Sequence, residues 1–142
     1  MTRRVTKAAF VSLAAALLLA ACGSPKREEC RALNTVINTG ADRIDKAQAS
    51  MLDPTGLEAL ADSLEKSATE AEAVKLTAED LQKHAKDYAS LVRDVAKTAR
   101  AMAAAGKAGD LEKAKAANAE MEKLVGAEPK LIGELNKACA AE

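Results

Sequence analysis

From residue 26 onward, apolar and small residues return every three or four positions with charged residues between them. That is the period of helices packed on one another, and no stretch alternates as a half-buried strand does. Over Lys26 to Met51 the stripe is Cys30, Leu33, Ile37, Gly40, Ile44, Ala47 and Met51, spaced 3, 4, 3, 4, 3 and 4. This heptad-like seam predicts a first helix. Asp53-Pro54-Thr55-Gly56 interrupts it, and Thr55 with Glu58 has the form of a capping box that opens a second helix. The second stripe is Leu57, Leu60, Leu64, Ala68, Ala71 and Val74. Thr77 is the expected cap of a third helix, with Glu79 and Asp80 in its first turn, where the helix dipole favours acids. Its stripe runs Leu81, Ala85, Tyr88, Val92, Val95, Ala99 and Met102. Gly106 and Gly109 end it, and Asp110 caps a fourth helix. That helix carries Leu111, Ala114, Met121, Val125, Ile132, Leu135 and Cys139 on one side. Pro129 removes a backbone donor within it. Gly126 also interrupts it, so the helix is expected to be kinked or broken near Pro129. Because the apolar phase survives across Pro129, one kinked helix is favoured over two.

Four helices joined by short loops predict an all-α, antiparallel up-down-up-down bundle. Two cysteines test the helix count. Cys30 lies near the start of the first helix and Cys139 near the end of the fourth. An even number of alternating helices returns the chain to the end where it began, so these residues can meet within the ~7 Å that a disulfide allows. The alternative is a pair of free thiols on core stripes. Gly40 costs about 1 kcal/mol against Ala in mid-helix, which marks it as a place where two helices cross closely.

The third cysteine stands outside this pattern. Arg3, Arg4 and Lys7 precede an apolar run from Val11 to Ala20, the layout of an export signal. The run closes on Leu19-Ala20-Ala21-Cys22, which resembles the lipobox of bacterial lipoproteins. The resemblance implies cleavage between Ala21 and Cys22 and diacylation of the Cys22 thiol, with the small Ala21 fitting the peptidase. Residues 1–21 are then a signal peptide, 22–25 a lipidated tether and 26–142 the bundle domain. Export also supplies the oxidising compartment a disulfide needs. By the same resemblance, Gly23 after the cysteine implies the outer membrane in a two-membrane cell, facing the periplasm or the surface.

Removing the signal leaves 121 of 142 residues, with 18 basic and 21 acidic side chains, a net charge of −3. No basic excess remains to draw nucleic acid. Phe10 is lost as well, leaving Tyr88 as the one aromatic ring, so stacking on bases or flat cofactors has little to use. Alanine supplies 27 of the 121 residues, many on the stripes, so the expected core is thin for its length.

His84 is the single histidine, and it reads as a partly exposed helix residue far from Met51 and Met102. There is no Cys-x-x-Cys-His for haem attachment, no metal-ligand cluster and no nucleophile motif. Acids and bases instead recur at i,i+4, as in Asp42 with Lys46, Glu79 with Lys83 and Lys130 with Glu134. No cofactor or metal is expected. The function expected is a noncatalytic, membrane-anchored envelope module that contacts a protein or the cell wall. The alternative is a carrier that holds a small apolar ligand inside the bundle. If a protein partner docks, Met51, Leu52, Pro54 and Ala104 form the small apolar tip farthest from the lipid, although such a group also serves as a closing core layer.

Overall fold

The computed structural model describes residues 24–48 and 53–141. They form four helices: α1 (Pro25–Gln48), α2 (Pro54–Ala73), α3 (Glu79–Ala108) and α4 (Leu111–Ala140). Among the described residues there is no strand. The helices run up-down-up-down, and the sequential pairs carry the packing, most extensively α2 with α3 and α3 with α4. The apolar stripes face inward as their period requires. Cys30, Leu33 and Ile37 of α1, Leu60 and Leu64 of α2, and Leu81, Tyr88 and Val92 of α3 are buried together. The α2–α3 seam is lined with alanines; Ala61, Ala68, Ala71, Ala89, Ala96 and Ala99 have no exposed surface.

Cys30 and Cys139 are joined by a disulfide, with their Cα atoms 5.8 Å apart. It ties the start of α1 to the end of α4. Elsewhere these two helices make few close approaches, so the bundle is closed at the disulfide end and open along its α1–α4 side.

Gly40 lies at a close crossing. A Cβ there would stand 2.9 Å from Ser67 Oγ, 3.1 Å from Ser67 Cβ and 3.2 Å from the Tyr88 hydroxyl. The Ser67 hydroxyl is fully buried and donates to the Ser63 carbonyl one turn earlier, which satisfies it within its own helix.

Two helix starts differ from the sequence expectation. Asp53, not Thr55, caps α2: its carboxylate accepts from the Gly56 N–H at 2.8 Å. The cause is Pro54, which forces the preceding residue into extended backbone (φ −135°, ψ 162°) and fills the first helical position, where its missing N–H costs nothing. At α3 the capping residue is Ala78, which makes no side-chain cap hydrogen bond. Thr77 instead turns to α1. Its hydroxyl and its N–H (2.9 Å) both donate to Glu29 Oε1, and the Ala78 N–H donates to Oε2 at 3.1 Å. A carboxylate from another helix thus serves the amides leading into α3, and these bonds hold the Glu29 carboxyl below its ordinary range. Lys26 pairs with Asp80 beside it at 2.8 Å.

The far ends follow expectation more closely. Gly109 ends α3 in the left-handed region (φ 67°), and Asp110 caps α4 by accepting from the Lys113 N–H at 3.0 Å. Helix α4 continues unbroken through Pro129. The proline leaves the Val125 carbonyl without its helical donor. Val125 is half exposed, so water can serve that carbonyl.

The charged residues also pair differently. Lys83 bridges Asp87 rather than Glu79. Most of the other acids and bases on α2 and α3 pair between helices. Lys107 meets Glu58, Arg100 meets Asp62 and Glu65, and Arg93 takes Glu72 with two bonds of 2.6 Å. The numbers fall on α3 as they rise on α2, so this exposed ladder reads out the antiparallel register. Exposed pairs of this kind contribute little stability each, about 0–1 kcal/mol.

Candidate binding cleft

Helix α4 supplies one fully buried side chain, Leu135, close to the disulfide. Toward its N-terminus the same helix turns to solvent, with Leu111 and Val125 among the exposed large apolar residues. A cleft of about 340 Å³ opens in that half of the bundle. Ile44 of α1 and Leu57, Leu60 and Leu64 of α2 line one side. From α3 come Leu91, Val92, Val95 and Met102. Helix α4 closes it with Met121, Leu124 and Val125, flanked by Asn118 and Glu128. Over the ten residues from Asn118 to Glu128 the cleft runs ~15 Å along α4. It is the size and character of a small-molecule site: concave, mainly aliphatic and carrying few polar groups.

Its two polar lining residues stand at opposite ends, Glu128 toward the disulfide and Asn118 away from it; behind Glu128 lies a small polar group. Tyr88 is buried there, and its burial and the Glu128 carboxylate together push its hydroxyl up to about 12, against the opposing pull of Arg43. Arg43 is itself matched by Glu70 of α2, 2.7 Å away. The bond from Arg43 holds Glu70 below the ordinary carboxylate range. Glu128 is half-buried, and among the described residues it has neither a hydrogen bond nor an ion pair. At the opposite end, the Asn118 amide donates to Glu122 on its own helix at 2.8 Å.

The arrangement offers apolar contact and one unmatched negative charge. Among the described residues no group of three His, Cys, Asp or Glu is placed to hold a metal. His84 is half-buried on α3, away from the cleft lining, and its Nδ1 is buried without a hydrogen-bond partner.

Of the sites expected from sequence, the structure brings Cys30 and Cys139 together. Ala21, Cys22, Met51 and Leu52 lie outside the described residues. Pro54 is half-buried and packs near α3, so that a Cβ on Gly106 would come within 3.3 Å of its ring; Ala104 is exposed. The cleft residues Leu91, Leu124, Asn118 and Glu128 did not stand out in sequence, yet two signals point to them. Leu91 precedes Val92 and Leu124 precedes Val125, which widens the apolar face of each helix beyond a single seam. On α4 the stripe leaves gaps of seven residues after Ala114 and after Val125, and the heptad positions inside those gaps are Asn118 and Glu128. Among the described residues, no helix is long and apolar enough to cross a membrane. The chain matches no family model, and no characterised protein or solved structure shows significant similarity to it.

Proposed function

We propose that this protein is a noncatalytic binding module of the bacterial envelope, tethered by lipid on Cys22 and carrying a small apolar ligand in the α1–α4 cleft. The tether rests on the Leu19-Ala20-Ala21-Cys22 tetrad and its resemblance to the lipobox. Of the two functions raised by the sequence, the carrier is the one that a specific observation favours. That observation is the aliphatic cleft held open where α4 stands away from α1. In a two-membrane cell the proposed location is the outer membrane, with the domain facing the periplasm or the surface.

The test of the carrier is saturable uptake of a neutral apolar fluorophore, N-phenylnaphthylamine, by the folded mature domain. Val95→Trp, with Leu124→Trp as a second plug, should abolish the signal while the far-ultraviolet circular dichroism is retained. Absence of binding, or binding indifferent to both plugs, overturns the reading. The tether is checked separately by intact mass, which should show loss of residues 1–21 and acyl mass on Cys22.

A further inference from the structure

We propose that the occupant of the cleft is a cationic amphiphile: a single apolar chain lying along α4, with its ammonium head on Glu128. The inference rests on the carrier reading above and adds the chemistry of the ligand. Its starting point is a misfit in the stripe of α4. Glu128 occupies a heptad position between Val125 and Ile132, where a packed bundle takes an apolar residue. A carboxylate on the inward face of a helix is ordinarily paired, because removing a charge from water without a partner is costly. Glu70, the carboxylate paired with Arg43 at 2.7 Å and also within the field of Lys66, is compensated. Tyr88, buried at this level, is no cation in either of its protonation states. Glu128 thus lines an aliphatic groove with neither a hydrogen bond nor an ion pair among the described residues.

The ligand that completes this site carries the opposite charge at one end and hydrocarbon along the rest. A fatty acid would set a second carboxylate against Glu128, and a neutral hydrocarbon would cover Glu128 without compensating it. The ~15 Å from Glu128 to Asn118 along α4 matches an extended dodecyl chain. Asn118, already bonded to Glu122, marks the wet mouth where the chain meets solvent.

The experiment measures displacement of N-phenylnaphthylamine from the folded mature domain by dodecylammonium and by dodecanoate, each below its micelle threshold. Dodecylammonium should displace the dye at a concentration about tenfold lower than dodecanoate, the scale of one charge-assisted contact. Glu128→Gln is isosteric at a half-buried position; with each displacement normalised to the variant's own dye affinity, it should erase the difference between the two amphiphiles. If the dye binds but both amphiphiles displace it equally, the cationic ligand is refuted while the carrier reading stands. An ammonium preference that survives Glu128→Gln refutes it too, by placing the head elsewhere on this acidic protein. If no dye binds at all, the carrier reading falls and the inference falls with it.

Discussion

Removing the disulfide is the perturbation with the largest expected effect on stability. The bond closes a loop of 109 residues, nearly the whole described chain. The loop-entropy relation gives about 4.8 kcal/mol for that length at 25 °C. Ordinary domains have about 5–15 kcal/mol in total, so the bond accounts for a large share of what holds this one folded. Packing does not duplicate it. Helices α1 and α4 meet sparsely, and α4 buries one side chain fully. Cys30→Ala with Cys139→Ala, in a Cys22→Ser background to remove the third thiol, should lower the unfolding free energy by about 3–5 kcal/mol. At about 4 °C per kcal/mol for a domain of this size, Tm should fall by ~12–20 °C. Urea unfolding followed by circular dichroism measures the loss, and amide exchange locates it. Exchange should accelerate first along α4, which then depends on α3 alone. A loss under about 1 kcal/mol, or acceleration spread evenly over the four helices, would refute the view of α4 as a helix held by its staple.

Three further outcomes follow from the interior. Gly40→Ala gains about 1 kcal/mol of helix propensity but sets a Cβ 2.9 Å from Ser67 Oγ, an overpacking that costs about 1–3 kcal/mol. The net should be destabilising in thermal melts and partly relieved by Ser67→Gly; a simple gain in Tm would contradict the close crossing. Tyr88 is the only tyrosine, so tyrosinate absorbance reads it alone and should rise near pH 12 rather than 10. Because its folded value is raised, its contribution to stability is complete below pH 10 and is lost as pH climbs from 10 toward 12. Glu128→Gln should bring the titration down, and titration of the folded wild type at 10 would refute the burial argument. Glu29 is depressed, so its contribution is present above its ordinary value of 4.5 and is lost as pH falls through its lower folded value. Glu29→Gln should flatten the acid limb of the stability curve, whereas an unchanged slope would mean the carboxylate does not serve the amides leading into α3.

Periodicity made the first three helices legible because their stripes are unbroken, and burial follows them from Cys30 through Val92. The disulfide was legible for the same reason: helix count alone decides whether Cys30 and Cys139 share an end. Local rules failed where a nonlocal or steric partner intervened. Thr55 satisfied a capping box, but Pro54 fixed the extended residue before itself, so Asp53 became the cap. Thr77 satisfied the pattern of a cap, but Glu29, forty-eight residues earlier, took its hydroxyl and N–H. Glu79 and Lys83 had ideal spacing, yet Lys83 found Asp87 one turn on. The cleft was legible only in reverse, through what the stripe of α4 leaves out. A seam that skips from Val125 to Ile132 reads as slightly weak packing until Glu128 is seen in the gap.

That gap links the opening of the bundle to its use. The inward positions of α4 are uniformly apolar near the disulfide, with Ile132, Leu135 and Cys139, but farther out Ala114, Asn118 and Glu128 interrupt Met121 and Val125. Burial follows the same division, since Leu135 is 1% exposed and Val125 is 49% exposed. The packing of α4 is thus tightest at the stapled end, and its distal half leaves apolar side chains such as Leu111 and Val125 exposed and makes few approaches to α1. If the open side serves binding, a residue that improves the fold should impair the site. Glu128→Leu tests this directly. It replaces an unpaired carboxylate beside Leu124 and Val125 with a side chain whose full burial is worth about 1.5–3 kcal/mol. Half that burial should raise the unfolding free energy by about 1 kcal/mol, read by urea titration. Dodecylammonium should at the same time lose its advantage over dodecanoate. Loss of stability in Glu128→Leu would mean that the carboxylate is a structural element of the fold, and the account of the cleft as a site kept open at the expense of packing would be wrong.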